Sequence, residues 1–207
     1  MNKEKISNFF YYNKTKIILA IILVIVVGVS LNQCRNNPET SLGILYATEN
    51  PGVSSEKFVK AVVDSKTVKT SENKSAETEN ILFKDIYLSP DENELMQSRA
   101  LEQMQVEIAG GNCKIIISDD DTMYSYSNEE AFCDITDYAD KYNIADSERY
   151  KVKDGKTIGI SIADNTLFKS CGVPSDGLYI TVRNHTEKEN AEYKNAFNML
   201  EYVLKNK

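Results

Sequence analysis

Three aspartates in a row, Asp119 to Asp121, follow the apolar run Ile115 to Ile117 in the stretch CKIIISDDDTMYSYS, 113–127. Clustered carboxylates occur in calcium sites, in acid–base pairs and at the starts of helices. Spacing separates these roles. A calcium ion takes about six to eight oxygens from ligands spread along a loop. Three adjacent side chains diverge, and no glycine stands at the sixth loop position, which excludes an EF-hand. A two-carboxylate hydrolase needs a second acid at a fixed separation, and nothing here fixes one. Capping accounts for the cluster more simply. Ser118 or one of the aspartates would accept from the free N–H groups of a helix beginning near Thr122, and the negative charge suits the helix dipole. On this reading the acids are not a metal site.

Other chemistry-bearing residues are few. His185 is the single histidine, so a histidine-based zinc site of several ligands cannot form. There is no G-x-S-x-G, no P-loop and no G-x-G-x-x-G. The triplets at Asn73 and Asn184 match the glycan acceptor pattern, which also arises by chance. No cofactor is expected. Cys113 begins a strand, and Cys133 follows the helix that returns from that strand's far end. Both should lie at the same end of the sheet, either as a disulfide or as two buried thiols.

Charge bounds the partners. The chain has 207 residues with a net charge of −7, and residues 1–16 are basic, with Lys3, Lys5, Lys14 and Lys16 against Glu4. The acidic remainder cannot neutralise phosphates, so nucleic acid is an unsuitable partner. Residues 17–34 carry no charge. At about 1.5 Å per residue they span about 27 Å, close to a bilayer core of about 30 Å. The aromatic group Phe9 to Tyr12 suits the headgroup level, and the preceding lysines keep the N-terminus in the cytoplasm.

The expected layout is therefore a cytoplasmic basic segment 1–16, a single transmembrane helix 17–34 with the bilayer as partner, a linker 35–41, and an extracellular domain 42–207. A cleaved signal peptide, with Gly28 and Ser30 as small residues, competes with this anchor. A lipoprotein is disfavoured because Gln33 stands before Cys34. A buried core helix is disfavoured by a stretch so uniformly apolar.

The outer segment reads as alternating strands and helices. Strands are expected at 42–48, 81–89, 114–118, 157–163 and 177–182. The third is apolar on both faces, as at the centre of a parallel sheet. A helix follows the first strand, with Phe58, Val59, Val62 and Val63 on one face. A second starts from Ser89 as N-cap, with Pro90 and Glu92 in place, and runs through Met96, Ala100, Leu101, Met104 and Ile108 to a stop at Gly110 and Gly111. A third covers about 122–132. A last one, with Thr186 and Glu189 as a capping box, places Tyr193, Ala196, Phe197, Leu200, Val203 and Leu204 inward. Residues 65–80 read as a loop or weak hairpin, 134–157 have no clear period, and 171–177 form a turn. The expected fold is α/β, a mainly parallel sheet with helices on both faces. In such sheets ligands bind where strands give way to helices, which nominates Thr48, Glu49, Ser89 and Asp120 for a small solute.

Three stretches, 98–123, 176–204 and 42–50, resemble an extracellular solute-binding protein of transport systems with the type II periplasmic-binding fold. The resemblance implies a helix, glycine turn and strand ending in Asp, then a late strand and the helix that closes the first lobe. Members of that family usually have two lobes with the solute between them, whereas residues 42–207 make one, as if truncated. The resemblance implies a binding or interaction module with a small solute or a membrane protein as partner. The alternatives are a cell-envelope enzyme using the carboxylates near 119–121, or a degenerate structural relict.

Overall fold

The computed structural model describes residues 40–49, 55–88, 94–127, 131–184 and 191–207. They belong to one compact unit, Glu39–Lys207. The basic segment 1–16, the expected membrane segment 17–34, most of the linker, Ser89, Pro90, Glu92, His185 and Thr186 lie outside the described residues. Among the described residues no helix is long and apolar enough to cross a membrane.

The chain runs β1 (Leu42–Thr48), α1 (Ser55–Asp64), β2 (Ile81–Tyr87), α2 (Glu94–Gly110), β3 (Cys113–Asp119), α3 (Asp120–Ser127) and α4 (Thr136–Lys141). It continues through β4 (Arg149–Lys151), β5 (Thr157–Ser161), α5 (Thr166–Cys171), β6 (Leu178–Val182) and α6 (Ala191–Lys205). The strands form a six-stranded sheet in the order β2-β1-β3-β6-β5-β4. β1 pairs with β2 and β3 in parallel, while β3 with β6, β6 with β5 and β5 with β4 are antiparallel. The sheet is thus mixed, and the expectation of a mainly parallel sheet is corrected. A parallel connection needs a crossover long enough to carry the chain back along the sheet. Between β5 and β6 the only helix is α5, of 6 residues, which advances about 9 Å and does not do so.

Side-chain alternation along β1 sorts the core onto two faces. Ile44 and Tyr46 pack with residues of α1, α4, α5 and α6. Leu45 and Ala47 pack with Met104 and Ile108 of α2 and Met123 of α3. β3 feeds both, with Ile115 and Ile117 on the first face and Ile116 on the second, as its unbroken apolar run implied. The periodic face of α6 is realised: Tyr193, Ala196, Leu200, Val203 and Leu204 are buried and Phe197 packs against them.

Two glycines are required by space. A Cβ on Gly43 would stand 2.3 Å from the Asn112 carbonyl oxygen and 2.7 Å from Cys113 Cα, where β1 and β3 shift register. A Cβ on Gly111 would stand 2.6 Å from Glu107 Cα. Gly111 therefore ends α2 through close packing, and the left-handed backbone expected there is not used, since Gly110 and Gly111 are absent from the positive-φ residues.

The polar segment 65–80 forms the weak hairpin, with Lys69 bridging Ser75 and with Val68 and Ala76 buried beneath it. Asn195 on α6 pins it: Lys69 N–H donates to Oδ1 (2.9 Å), and Nδ2 donates to the carbonyls of Ser41 (2.9 Å) and Lys69 (2.6 Å). Several further expectations are corrected. α2 buries Met104 and Ile108 but leaves Met96 and Leu101 about half exposed. The helix after β3 begins at Asp120 and its described part ends at Ser127. α4, β4 and α5 were not expected. α5 has an Asn165 cap accepting from Leu167 N–H (3.0 Å) and a left-handed Gly172 at its end. The three described cysteines are free and buried. Cys113 and Cys133 do lie near each other's end of the sheet, because Cys133 N–H donates to the Val182 carbonyl and Val182 pairs with Ile115. They belong to the clusters on different sides of the sheet, so of the two alternatives the buried thiols are the observed one.

Candidate functional site

The parallel strands β1 and β3 bring Glu49 and Asp119 to one edge, next to Leu88 beyond β2. Leu88 N–H donates to the Thr48 carbonyl (2.9 Å), which extends the ladder past the last β2 residue. Glu49, Leu88, Gln97, Leu101, Asp119, Asp121 and Thr122 line an open cavity of about 220 Å³ at this edge. Its polar groups are carboxylates, an amide and a hydroxyl. Leu88 and Leu101 supply an apolar wall.

The acid cluster divides its work. Asp119 Oδ1 accepts from the Thr122 backbone N–H at 2.9 Å, three residues on, the geometry of a helix N-cap. The capping reading of the opening stretch is therefore the observed one. Asp121 faces the cavity. Asp120 lies close enough to Tyr150 on β4 and Tyr179 on β6 for its charge to act on both, and the charge of Asp121 also reaches Tyr150. Those rings meet edge to face, 5.5 Å between centroids at 80°. Burial raises both tyrosine pKa values, and the negative charge of Asp120 raises them further. Tyr179 comes within reach because β6 pairs antiparallel to β3, placing it opposite Ser118.

Of the nominated residues, Glu49 lines the cavity and Asp120 stands beside the tyrosine pair. Thr48 is buried, and its side chain hydrogen-bonds Tyr46 on the other face of the sheet, so it does not reach the cavity. Tyr46 in turn donates to the Pro174 carbonyl (2.8 Å), and burial pushes its pKa up to about 12. Ser89 lies outside the described residues. The sequence did not single out Tyr150 or Tyr179. The tyrosine content of 134–157 was a signal for the first, but only strand order joins the two. Among the described residues no group of three histidine, cysteine or acidic side chains is placed to hold a metal ion.

At the opposite end of the sheet a second polar group serves packing. Arg183 is almost fully buried and donates from Nη1 to the Glu107 carbonyl (2.7 Å), closing the end of α2. Burial alone would raise the Glu107 pKa. Its hydrogen bond and charge pairing with Lys84, together with hydrogen bonds from Cys113, hold it below the usual value. Burial, reinforced by Glu107, pushes the Cys113 thiol up to about 12, which makes it a poor nucleophile.

No family model matches the chain, and no curated protein matches it. Among solved structures, the ABC substrate-binding protein Lmo0181 from Listeria monocytogenes, in complex with cycloalternan, is similar with a TM-score of 0.36 and 18% identity, over 64% of this chain and 34% of that one. The bacterial solute receptor AcbH, which has an exclusive substrate preference for β-D-galactopyranose, is similar with a TM-score of 0.34 and 10% identity, over 66% of this chain and 35% of that one. The chain thus matches about a third of the length of each solute-binding protein. At these scores neither defines the fold, which rests on the strand order and pairing given above.

Proposed function

We propose that the domain is a non-catalytic binding module, resembling one lobe of a solute-binding protein, for a small solute rich in hydroxyl or amine donors. The observation that carries this reading is the placing of Asp120 beside the Tyr150–Tyr179 pair while Glu49, Asp119 and Asp121 line the adjoining open cavity. Carboxylates accept hydrogen bonds from hydroxyl and ammonium groups, and the face of an aromatic ring takes the apolar face of a sugar ring or the charge of a cation. The same acids repel anions. An enzyme would gather groups from several loops into an enclosed pocket, whereas this edge is shallow. We also propose that residues 17–34 display the domain outside the membrane, a reading supported by the uncharged stretch and the four lysines before it.

The test is thermal melting of the full chain in detergent with millimolar D-galactose, putrescine or citrate. Stabilisation by galactose or putrescine, lost in Asp120→Asn or Glu49→Gln and absent with citrate, is expected. At a concentration about 100 times the dissociation constant it amounts to about 2.7 kcal/mol. No shift with either donor would overturn the binding reading. Display is tested separately by protease added to intact cells. Digestion of the C-terminal domain is expected, and its protection, or its release in mature form, overturns the anchor.

A further inference from the structure

β2 is the last strand at its end of the sheet, and α2 lies beside it. Between them runs a groove of about 580 Å³, lined on the strand by Lys84, Asp85 and Ile86 and on the helix by Arg99, Glu102 and Val106. Leu95 stands one turn before Arg99 on the same side of α2. Positions 95, 99, 102 and 106 are spaced four, three and four apart, which places them on one face of a helix. All four are exposed, Leu95 by 71% and Val106 by 65%. Among the described residues Arg99 and Glu102 take part in no ion pair.

The order along this stripe is apolar, cation, anion, apolar, and about its midpoint the spacing is symmetric while the two charges are opposite. A second α2 laid antiparallel across it, on a two-fold axis passing between positions 100 and 101, brings Leu95 onto Val106 of the second copy. The same operation brings Arg99 onto Glu102, and by symmetry each of these contacts occurs twice. A patch that complements itself is what a two-fold interface requires, because the same surface must serve both subunits. From this self-complementarity we infer that the stripe is a homodimer contact and that its occupant is a second copy of this chain. The contact is small, so it gives a weak dimer with a dissociation constant on the order of 10 μM. This inference does not depend on the solute reading, which concerns a different edge.

The experiment measures the mass of the full chain in detergent by sedimentation, with the micelle contribution matched out, as protein concentration rises to about 100 μM, some tenfold above the expected constant. Wild type should move from monomer to dimer. Arg99→Glu places like charges opposite each other twice and should weaken the dimer about tenfold or more. The double variant R99E/E102R restores opposite charges and should restore the dimer. Both positions are solvent-exposed helix positions, so the variants should fold, and a melt of each checks this. A monomeric wild type overturns the proposal. So does a dimer indifferent to Arg99→Glu, which would place the contact elsewhere in the chain, or a double variant that fails to recover.

Discussion

Against one face of the sheet, α1, α4, α5 and α6 bury Phe58, Phe168, Tyr193 and Leu200. Against the other, α2 contributes Met104 and Ile108, and α3 contributes Met123. Yet α2 is as rich in apolar residues as its neighbours and spends several of them on the surface, with Leu95, Met96, Leu101 and Val106 between about half and 71% exposed. The first face is closed within the chain. The second is closed only at its centre, and its outer side offers apolar surface next to both the strand-top cavity and the β2 groove. Apolar content in a helix therefore measures how much surface could be covered, and tertiary packing decides how much is covered by the chain itself.

The sharpest way to break this comparison is at the centre of the thinner face. Ile116 is fully buried between Leu45 and Met104 in the same cluster. Ile116→Asp places a carboxylate where nothing described can pair with it, at a cost of several kcal/mol against a domain stability of about 5–15 kcal/mol. Loss of the cooperative thermal transition is expected. An unchanged melt would show that this face is not core even at its centre.

A smaller effect compares the faces directly. Phe58 is fully buried, 4.9 Å from the Phe168 ring centroid and 6.1 Å from that of Phe83. Phe58→Ala should cost about 3–5 kcal/mol and Met104→Ala about 2–5 kcal/mol. Denaturant titrations should place Phe58→Ala at the lower midpoint. A reversed order would mean that the α2 side carries more of the packing than its burial indicates.

What was legible in the sequence follows the same division. β3 was readable because a strand buried on both faces needs apolar residues without interruption. α6 was readable because its apolar residues recur with helical period and nearly all are buried. α2 was readable at its end, Gly110 and Gly111, but its apolar residues are spread around the helix far more than those of α6, so the pattern did not say which of them, Met96 and Leu101 included, face solvent. The short α4 and α5 escaped because six residues are too few for a period to show, although the Asn165 cap and Gly172 stop of α5 are local signals. The antiparallel placing of β6 escaped because it depends on what α5 cannot span. Asp119 and Glu49 were brought to one edge as strand ends, since that needs only the order of elements. Thr48 was misplaced because one residue's difference along a strand reverses the face, and the Tyr150–Tyr179 pair needed the full strand order.

The cap at the strand top gives a milder test. Asp119→Ala removes the acceptor for Thr122 N–H and should cost about 1 kcal/mol, while Asp119→Asn, which also caps, should cost little. Melts with millimolar calcium and with chelator should coincide for the wild type. A rise of many degrees with calcium would turn the cluster from a helix start into a ligand site.

The smallest expected effect is on the uncovered side of α2. Leu95 is 71% exposed, and a serine there gives up little buried area. Surface substitutions away from packing features stay within about 0.5 kcal/mol. Leu95→Ser should therefore leave the melt almost unchanged at a dilution of about 1 μM, below the expected dimer constant. Measured on the same helix, it contrasts with Met104→Ala, two and a half turns further on. If Leu95→Ser instead cost more than about 1 kcal/mol at that dilution, the leucine would be covered within its own chain. The uncovered side of α2 would then be a packed side, and the distinction between the two faces of the sheet would fall with it. If the cost is negligible at 1 μM and grows with protein concentration, the leucine is covered by association, as expected for a residue that is apolar, exposed and opposed by Val106 of a second copy.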